Sequence, residues 1–222
     1  MKSLTGRTVV RLAVGLLVGA ALIFLPAGSF RFWQGWVFVV GQLGSYIVLS
    51  IWLLKRDPQL MERRMRSKEK DPEQRLFQIL WTLIFFPALV LPGLDYRFGW
   101  SHMPAWLAVC GQAAMMAGTF LIFWVMKVNT FAGRTIQVET GQRVIADGPY
   151  AIVRHPMYTG ILLSMLDVPI ALGSYVAFPV FALLAPVMIF RLIHEERVLC
   201  RDLPGYVEYC ERTRFRLVPG LW

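Results

Sequence analysis

ILLSMLDVPIALGSYVAFPVFALLAPVMIF, residues 161–190, is the stretch whose reading decides the fold. As one helix its 30 residues would span ~45 Å at ~1.5 Å per residue, well beyond the ~30 Å hydrocarbon core of a bilayer. A single span would also carry the basic residues that follow it to the wrong side of the membrane. Gly173-Ser174 sits near the middle and offers a turn. The stretch therefore reads as a helical hairpin that returns to the face it left. Its arms are short, so they tilt, stop partway or lean on protein neighbours. Asp167 lies in the first arm. A carboxylate inside a span is costly and suggests function. With Pro169 two residues on, an irregular, hydrogen-bonded structural Asp167 is an equal reading.

Outward from the hairpin, four more apolar stretches are long enough to cross: about Val9–Pro26, Trp33–Leu54, Leu76–Leu94 and Pro104–Met126. Lys2, Arg7 and Arg11 before the first give it a signal-peptide look, but residues 26–28 make a poor cleavage site. The fold class expected is all-α: a polytopic membrane helical bundle of four spanning helices, a C-terminal helical hairpin and a cytosolic tail helix. Residues 1–127 form the anchor region, and 128–222 carry the chemistry. The net charge of +9 does not call for nucleic acid. With a cytosolic N-terminus and alternating spans, 21 of the 23 basic residues fall in cytosolic segments, and only Arg31 and Arg97 fall outside. The positive-inside rule accounts for that asymmetry. The expected setting is a multi-pass protein of a bacterial inner membrane, with both termini cytosolic and membrane lipids as its surroundings.

The three cysteines, Cys110, Cys200 and Cys210, have neither metal-ligand nor disulfide-framework spacing, so no metal is expected. No Gly-rich phosphate loop, H-E-x-x-H or G-x-S-x-G occurs. The basic segment Lys55–Arg75 reads as a solvated loop or a short helix on anionic headgroups, with part of a substrate entrance as the functional alternative. Within it, Asp71-Pro72-Glu73 looks like a helix start. Residues 127–160 are rich in glycine and proline and read as a structured connector, with Arg134–Glu139 briefly extended. After Phe190 the tail begins as a helix and breaks at Pro204-Gly205.

Two clusters carry polar chemistry, and the hairpin brings them together. The first is GPYAIVRHPMYTG, Gly148–Gly160. Pro156 keeps His155 out of the α region and opens the next helix. Tyr150 and Tyr158 offer aromatic faces to a cation such as a sulfonium. Arg154 can pair with a carboxylate or phosphate, or with Glu195 or Glu196. The second cluster is Arg191–Arg197. Arg191 and Glu195, four residues apart, share a helix face. Arg191 can hold an anionic substrate group, and Glu195 can accept hydrogen bonds from a ribose or amine. The plainer alternative is a snorkelling cation beside a helix start and a solvated helix end. His155 and His194, each taken alone, read as structural, and His102 as incidental.

At these residues the chain resembles the isoprenylcysteine carboxyl methyltransferase family and, more loosely, the phospholipid methyltransferases. The resemblance covers roughly Asn129–Trp222. It rests on G-P-Y-x-x-x-R-H-P-x-Y-x-G (Gly148–Gly160), Glu195-Glu196, G-Y-x-x-Y (Gly205–Tyr209) and the closing RLVPGLW (Arg216–Trp222). It implies transfer of a methyl group from S-adenosyl-L-methionine to a lipid-soluble or lipid-linked acceptor, without a Rossmann domain. It places cofactor contacts at Gln142, Arg143, Val144, Ile145, Tyr150, His155, Pro156, Met157, Tyr158 and Glu195. Arg191 falls at a substrate-binding position, and Arg191, Glu195 and Arg154 form the catalytic set. Gln142 stands where some members have His, and Gln137 is a further candidate. Sterol-reductase-like membrane oxidoreductases, which use NADPH, carry similar C-terminal patterns and give the alternative reading.

Overall fold

The computed structural model describes residues 4–66 and 72–222, and among these all regular structure is helical. Helices α1 (Leu4–Ala27), α2 (Trp33–Arg56), α4 (Pro72–Phe98) and α5 (Ala105–Val128) coincide with the four apolar stretches. Each is long and apolar enough to cross a membrane. A fifth candidate span arises in the hairpin, so the count exceeds the four expected.

The hairpin is asymmetric. Its first arm starts earlier than expected, at Pro156, and breaks into α6 (Pro156–Leu166) and α7 (Val168–Ala171). Asp167 occupies the break, and its carbonyl accepts from the Ala171 N–H at 2.7 Å. Gly173 makes the turn at φ 73°, a left-handed conformation that suits glycine. The second arm is not short. It begins with α8 (Phe178–Ala182) and continues as α9 (Leu184–Asp202), 25 residues in all. The tail helix is therefore the continuation of the second arm. The charged residues Arg191–Arg197 continue an apolar helix instead of starting a new one. A short α10 (Tyr206–Arg212) follows Gly205, which sits at φ 82°.

The turn of the hairpin is tied to the end of the bundle opposite the basic one. Asp95, almost fully buried, accepts from the Ser101 N–H at 2.7 Å and from the Ser101 and Ser174 hydroxyls. One carboxylate thus joins the end of α4, the following loop and the hairpin turn. Burial without such donors would be costly.

The helices approach closely where side chains are absent. A Cβ on Gly118 of α5 would lie 2.7 Å from the Gly160 carbonyl of α6, and one on Gly111 would lie 2.7 Å from the Ala171 nitrogen. A Cβ on Gly93 of α4 would lie 2.5 Å from the Ile23 carbonyl of α1. Small residues at helix crossings are how membrane bundles gain packing where the hydrophobic effect between helices is weak. The main core draws Ile23 and Phe24 from α1, Ala88 from α4, Met115 from α5, and Met165, Leu172 and Phe181 from the hairpin. The anchor region and the C-terminal region therefore share one core.

The basic loop contains helix α3 (Pro58–Met65), with Asp57 accepting from the Leu60 N–H at 2.9 Å as its N-cap. Its apolar residues Leu60, Met61 and Met65 are buried against α1, α2 and the connector, not laid on lipid headgroups. Arg63 and Arg64 donate to the carbonyls of Thr130 and Ala132 at 2.7 and 2.9 Å. The N-cap reading of Asp71 lies outside the described residues, and α4 opens at Pro72.

Candidate functional site

The basic end of the bundle holds a cavity of about 370 Å³. One wall is α6 and α9, a second is α4, and the connector and α10 close the rest. Its volume lies within the range of small-molecule sites.

The R-H-P turn is built as its sequence demands. His155 has φ −126° and ψ 59°, outside the α region, and Pro156 is the first residue of α6. The chain end straps this turn down. Arg154 N–H and His155 N–H donate to the carbonyls of Phe215 and Arg216 at 2.8 and 3.0 Å, and the Thr159 hydroxyl donates to the Leu217 carbonyl at 2.9 Å. The His155 ring is buried, with Nε2 3.5 Å from the Tyr206 hydroxyl. Burial pulls its pKa below the ordinary histidine value, against the pull of Glu195 and Glu196, so the ring is neutral at pH 7.

The two sequence clusters meet. The Tyr158 hydroxyl donates to Glu195, and Arg154 pairs with Glu196. Arg191 lies over the Phe77 ring at 4.6 Å and donates to Gln74 Oε1 at 2.9 Å and to the Arg134 carbonyl at 2.6 Å. Tyr150 accepts from the Asn129 side chain at 2.8 Å, and its carbonyl accepts from the Tyr209 hydroxyl at 2.8 Å. Burial pushes the Tyr150 phenol above its usual range, so it remains a neutral hydrogen-bonding group. Gln142 closes a turn of the connector, accepting from the Glu139 N–H at 2.9 Å.

Of the residues singled out from sequence, Gln142, Arg143, Val144, Ile145, Tyr150, His155, Met157, Tyr158, Arg191 and Glu195 all line the cavity, as does Gln137. Pro156 does not line it and acts on the backbone. Arg154 also lines the cavity, but its guanidinium is engaged by Glu196 and by the Arg214 carbonyl at 3.2 Å. Glu196 is buried and is held from the other side by Arg216 at 2.6 Å. That leaves Glu195 as the carboxylate on the cavity wall among the described residues. His194 points elsewhere, with Nδ1 2.5 Å from Glu73. Asp167 is absent from the wall, eleven residues up the first arm.

Sequence reasoning missed the wall from the anchor region: Phe77, Gln78, Trp81 and Thr82 of α4, and Arg64 of α3. It also missed Tyr206 and Tyr209 as lining residues, although both lie in the G-Y-x-x-Y motif. No local signal marked α4: Phe77 and Trp81 are four apart and share one helix face, but a lipid-facing span carries the same pattern.

The fold and site together define a polytopic α-helical membrane protein with a small-molecule cavity at its basic end. Residues 106–202 match the phospholipid methyltransferase family model. That match begins in α5, upstream of the motifs that carried the resemblance. The whole chain is similar in fold to a eukaryotic intramembrane Ras methyltransferase, isoprenylcysteine carboxyl methyltransferase. The TM-score is 0.59 at 19% identity, over 95% of this chain and 74% of that one. A mouse (Mus musculus) Delta(14)-sterol reductase is 30% identical over 93 residues. Those residues are 40% of this chain, which spans about a fifth of that relative's length (22%).

Proposed function

We propose that the chain is an integral membrane methyltransferase that moves a methyl group from S-adenosyl-L-methionine to a lipidic acceptor at the cytosolic face of a bacterial inner membrane. The observation that carries this reading is the meeting of the R-H-P and R-x-x-x-E clusters in one cavity. The family match over residues 106–202 supports it.

The residues present fit the cofactor. When bound, S-adenosyl-L-methionine supplies an electrophilic methyl group on a sulfonium. Tyr150, Tyr158, Tyr206 and Tyr209 line the cavity with aromatic faces that attract such a cation. Glu195, oriented by the Tyr158 hydroxyl, can accept from ribose or amine donors. Gln142–Ile145 would line the site from the connector, with His155 and Met157 at the turn.

In-line displacement depends on alignment more than on proton transfer. A carboxylate acceptor is already ionised, so it needs a counter-cation and no base. Arg191, held by Gln74, Phe77 and the Arg134 carbonyl, fills that role. An amine acceptor would need a base. Glu195 is placed for it, whereas Glu196 is committed to two arginines.

The sterol-reductase relative favours a second reading, a membrane oxidoreductase using NADPH. Equilibrium binding in detergent separates the two. Wild type should bind S-adenosyl-L-methionine and not NADPH, with His155→Ala and Glu195→Ala each weakening binding about tenfold or more, as expected for loss of one hydrogen-bonding group. NADPH binding alone would overturn the methyltransferase reading. Equal cofactor affinity in all three proteins would overturn the site assignment. Orientation is tested by a reporter fused after Trp222, which should be active only as a cytosolic fusion.

A further inference from the structure

Several arginines at the basic end have a carboxylate at hand. Arg63 and Arg66 face Glu139 at 3.8 and 2.6 Å, Arg154 and Arg216 face Glu196, Arg197 faces Glu73 at 3.4 Å, and Arg201 faces Asp202 at 2.8 Å. Arg64, Arg134 and Arg191 differ. All three line the cavity, as does the exposed Arg143 of the connector, and among the described residues none of these four has a carboxylate within ion-pair distance.

Arg64 and Arg191 are fixed in place by their side-chain bonds, whereas the Arg134 side chain is exposed. Arg64 is half-buried and bonded to the Ala132 carbonyl at 2.9 Å. Arg191 is held by three partners, one of them the Arg134 carbonyl at 2.6 Å, so Arg134 and Arg191 are neighbours. Arg134 stands at the cavity rim. Burial lowers the Arg64 guanidinium to about 10, and Arg134 and Arg191 add to the fall, against the pull of Tyr46. Burial likewise lowers Arg134, and Arg11 and Arg191 push it the same way. Three like charges held around one cavity repel each other, and an oxyanion placed between them would relieve that repulsion. One carboxylate on Arg191 would leave Arg64 and Arg134 uncompensated.

We propose that Arg64, Arg134 and Arg191 form a cradle for a multiply charged oxyanion on the head group of the lipidic acceptor, so that this protein acts on an anionic lipid of the phosphate type. This rests on the cavity being a substrate site, as the methyltransferase reading requires. Guanidinium forks match phosphate and carboxylate oxygens in pairs, and each such bond is stronger than a neutral one. Phe77, Trp81, Ile161 and Met188 line the same cavity and offer apolar contact for the chain next to the head group.

Three single-chain probes test it, matched in acyl chain and binding to the full-length protein in detergent: lysophosphatidate, palmitate and monopalmitoylglycerol. Affinity should fall in that order, with lysophosphatidate at least about tenfold tighter than the neutral probe. Arg64→Gln and Arg134→Gln should each lose about tenfold for lysophosphatidate and leave S-adenosylhomocysteine affinity unchanged. Arg134→Gln keeps the carbonyl that holds Arg191. Equal binding of the three probes would overturn the cradle. So would variants that lose S-adenosylhomocysteine and keep lysophosphatidate, because the arginines would then hold the cofactor's own carboxylate. Wild-type binding of lysophosphatidate without S-adenosylhomocysteine would overturn the methyltransferase reading and leave the cradle standing.

Discussion

Gly118→Val is expected to lower the melting temperature in detergent by roughly 10 °C and to remove cofactor binding with it. The valine Cβ would lie 2.7 Å from the Gly160 carbonyl and 2.8 Å from the Ser164 nitrogen. Both are backbone atoms of α6, so no side-chain rotation relieves the clash. The helices must separate, which opens gaps on either side of the crossing. Overpacking of this kind costs about 1–3 kcal/mol, and more when backbone must shift. At ~2–4 °C per kcal/mol for a chain of this size, the larger costs give the expected drop. The effect on binding follows from geometry. α6 begins at Pro156, next to His155, and Tyr158 in its first turn orients Glu195. Gly44→Val in α2 is the control. A Cβ there meets nothing within 4 Å, so its melting temperature should stay close to wild type. Equal melting of the two variants would show that the α5–α6 contact does not limit stability.

Much of this arrangement was legible in the sequence because it follows from length and charge. A 30-residue apolar run cannot be one span, and Gly173-Ser174 is the place where it can turn. That alone brings Tyr158 to Glu195. The asymmetry of the hairpin was harder to see. Asp167 and Pro169 break the first arm, while the second runs on through Phe190 into charged sequence without a signal to stop before Leu203. The far wall of the cavity was not legible. Phe77 and Trp81 look like any apolar face of a spanning helix, and nothing local says that this face meets α9 and not lipid. Arg64 looked like one more cytosolic charge. Only the docking of α3 under the connector, through Leu60, Met61 and Met65, shows that it reaches the cavity. Glu195 and Glu196 are adjacent in sequence but differ in role. Successive helical residues point ~100° apart, so one faces the cavity and the other faces Arg154 and Arg216.

That division makes Arg191 the position where methyl transfer should be most sensitive. Arg191→Met keeps much of the aliphatic stem against Phe77 but removes the charge and the bonds to Gln74 and the Arg134 carbonyl. Transfer to an anionic acceptor should fall about a hundredfold or more, because a lost charge-assisted hydrogen bond and a misplaced acceptor act together. Arg191→Lys should recover only part of the rate. An ammonium can supply the charge but cannot reach Gln74, the Arg134 carbonyl and the acceptor as a planar fork does. Cofactor binding separates this from simple unfolding. S-adenosylhomocysteine affinity should fall far less than the rate in either variant: Arg191 also acts on the Tyr158 hydroxyl, but the Tyr158–Glu195 bond and the strap on His155 remain. A full rate in Arg191→Met would mean that the acceptor does not meet this arginine. The base role would then fall to Glu195, and Glu195→Gln, with its rate followed against pH, would be the decisive variant for an amine acceptor.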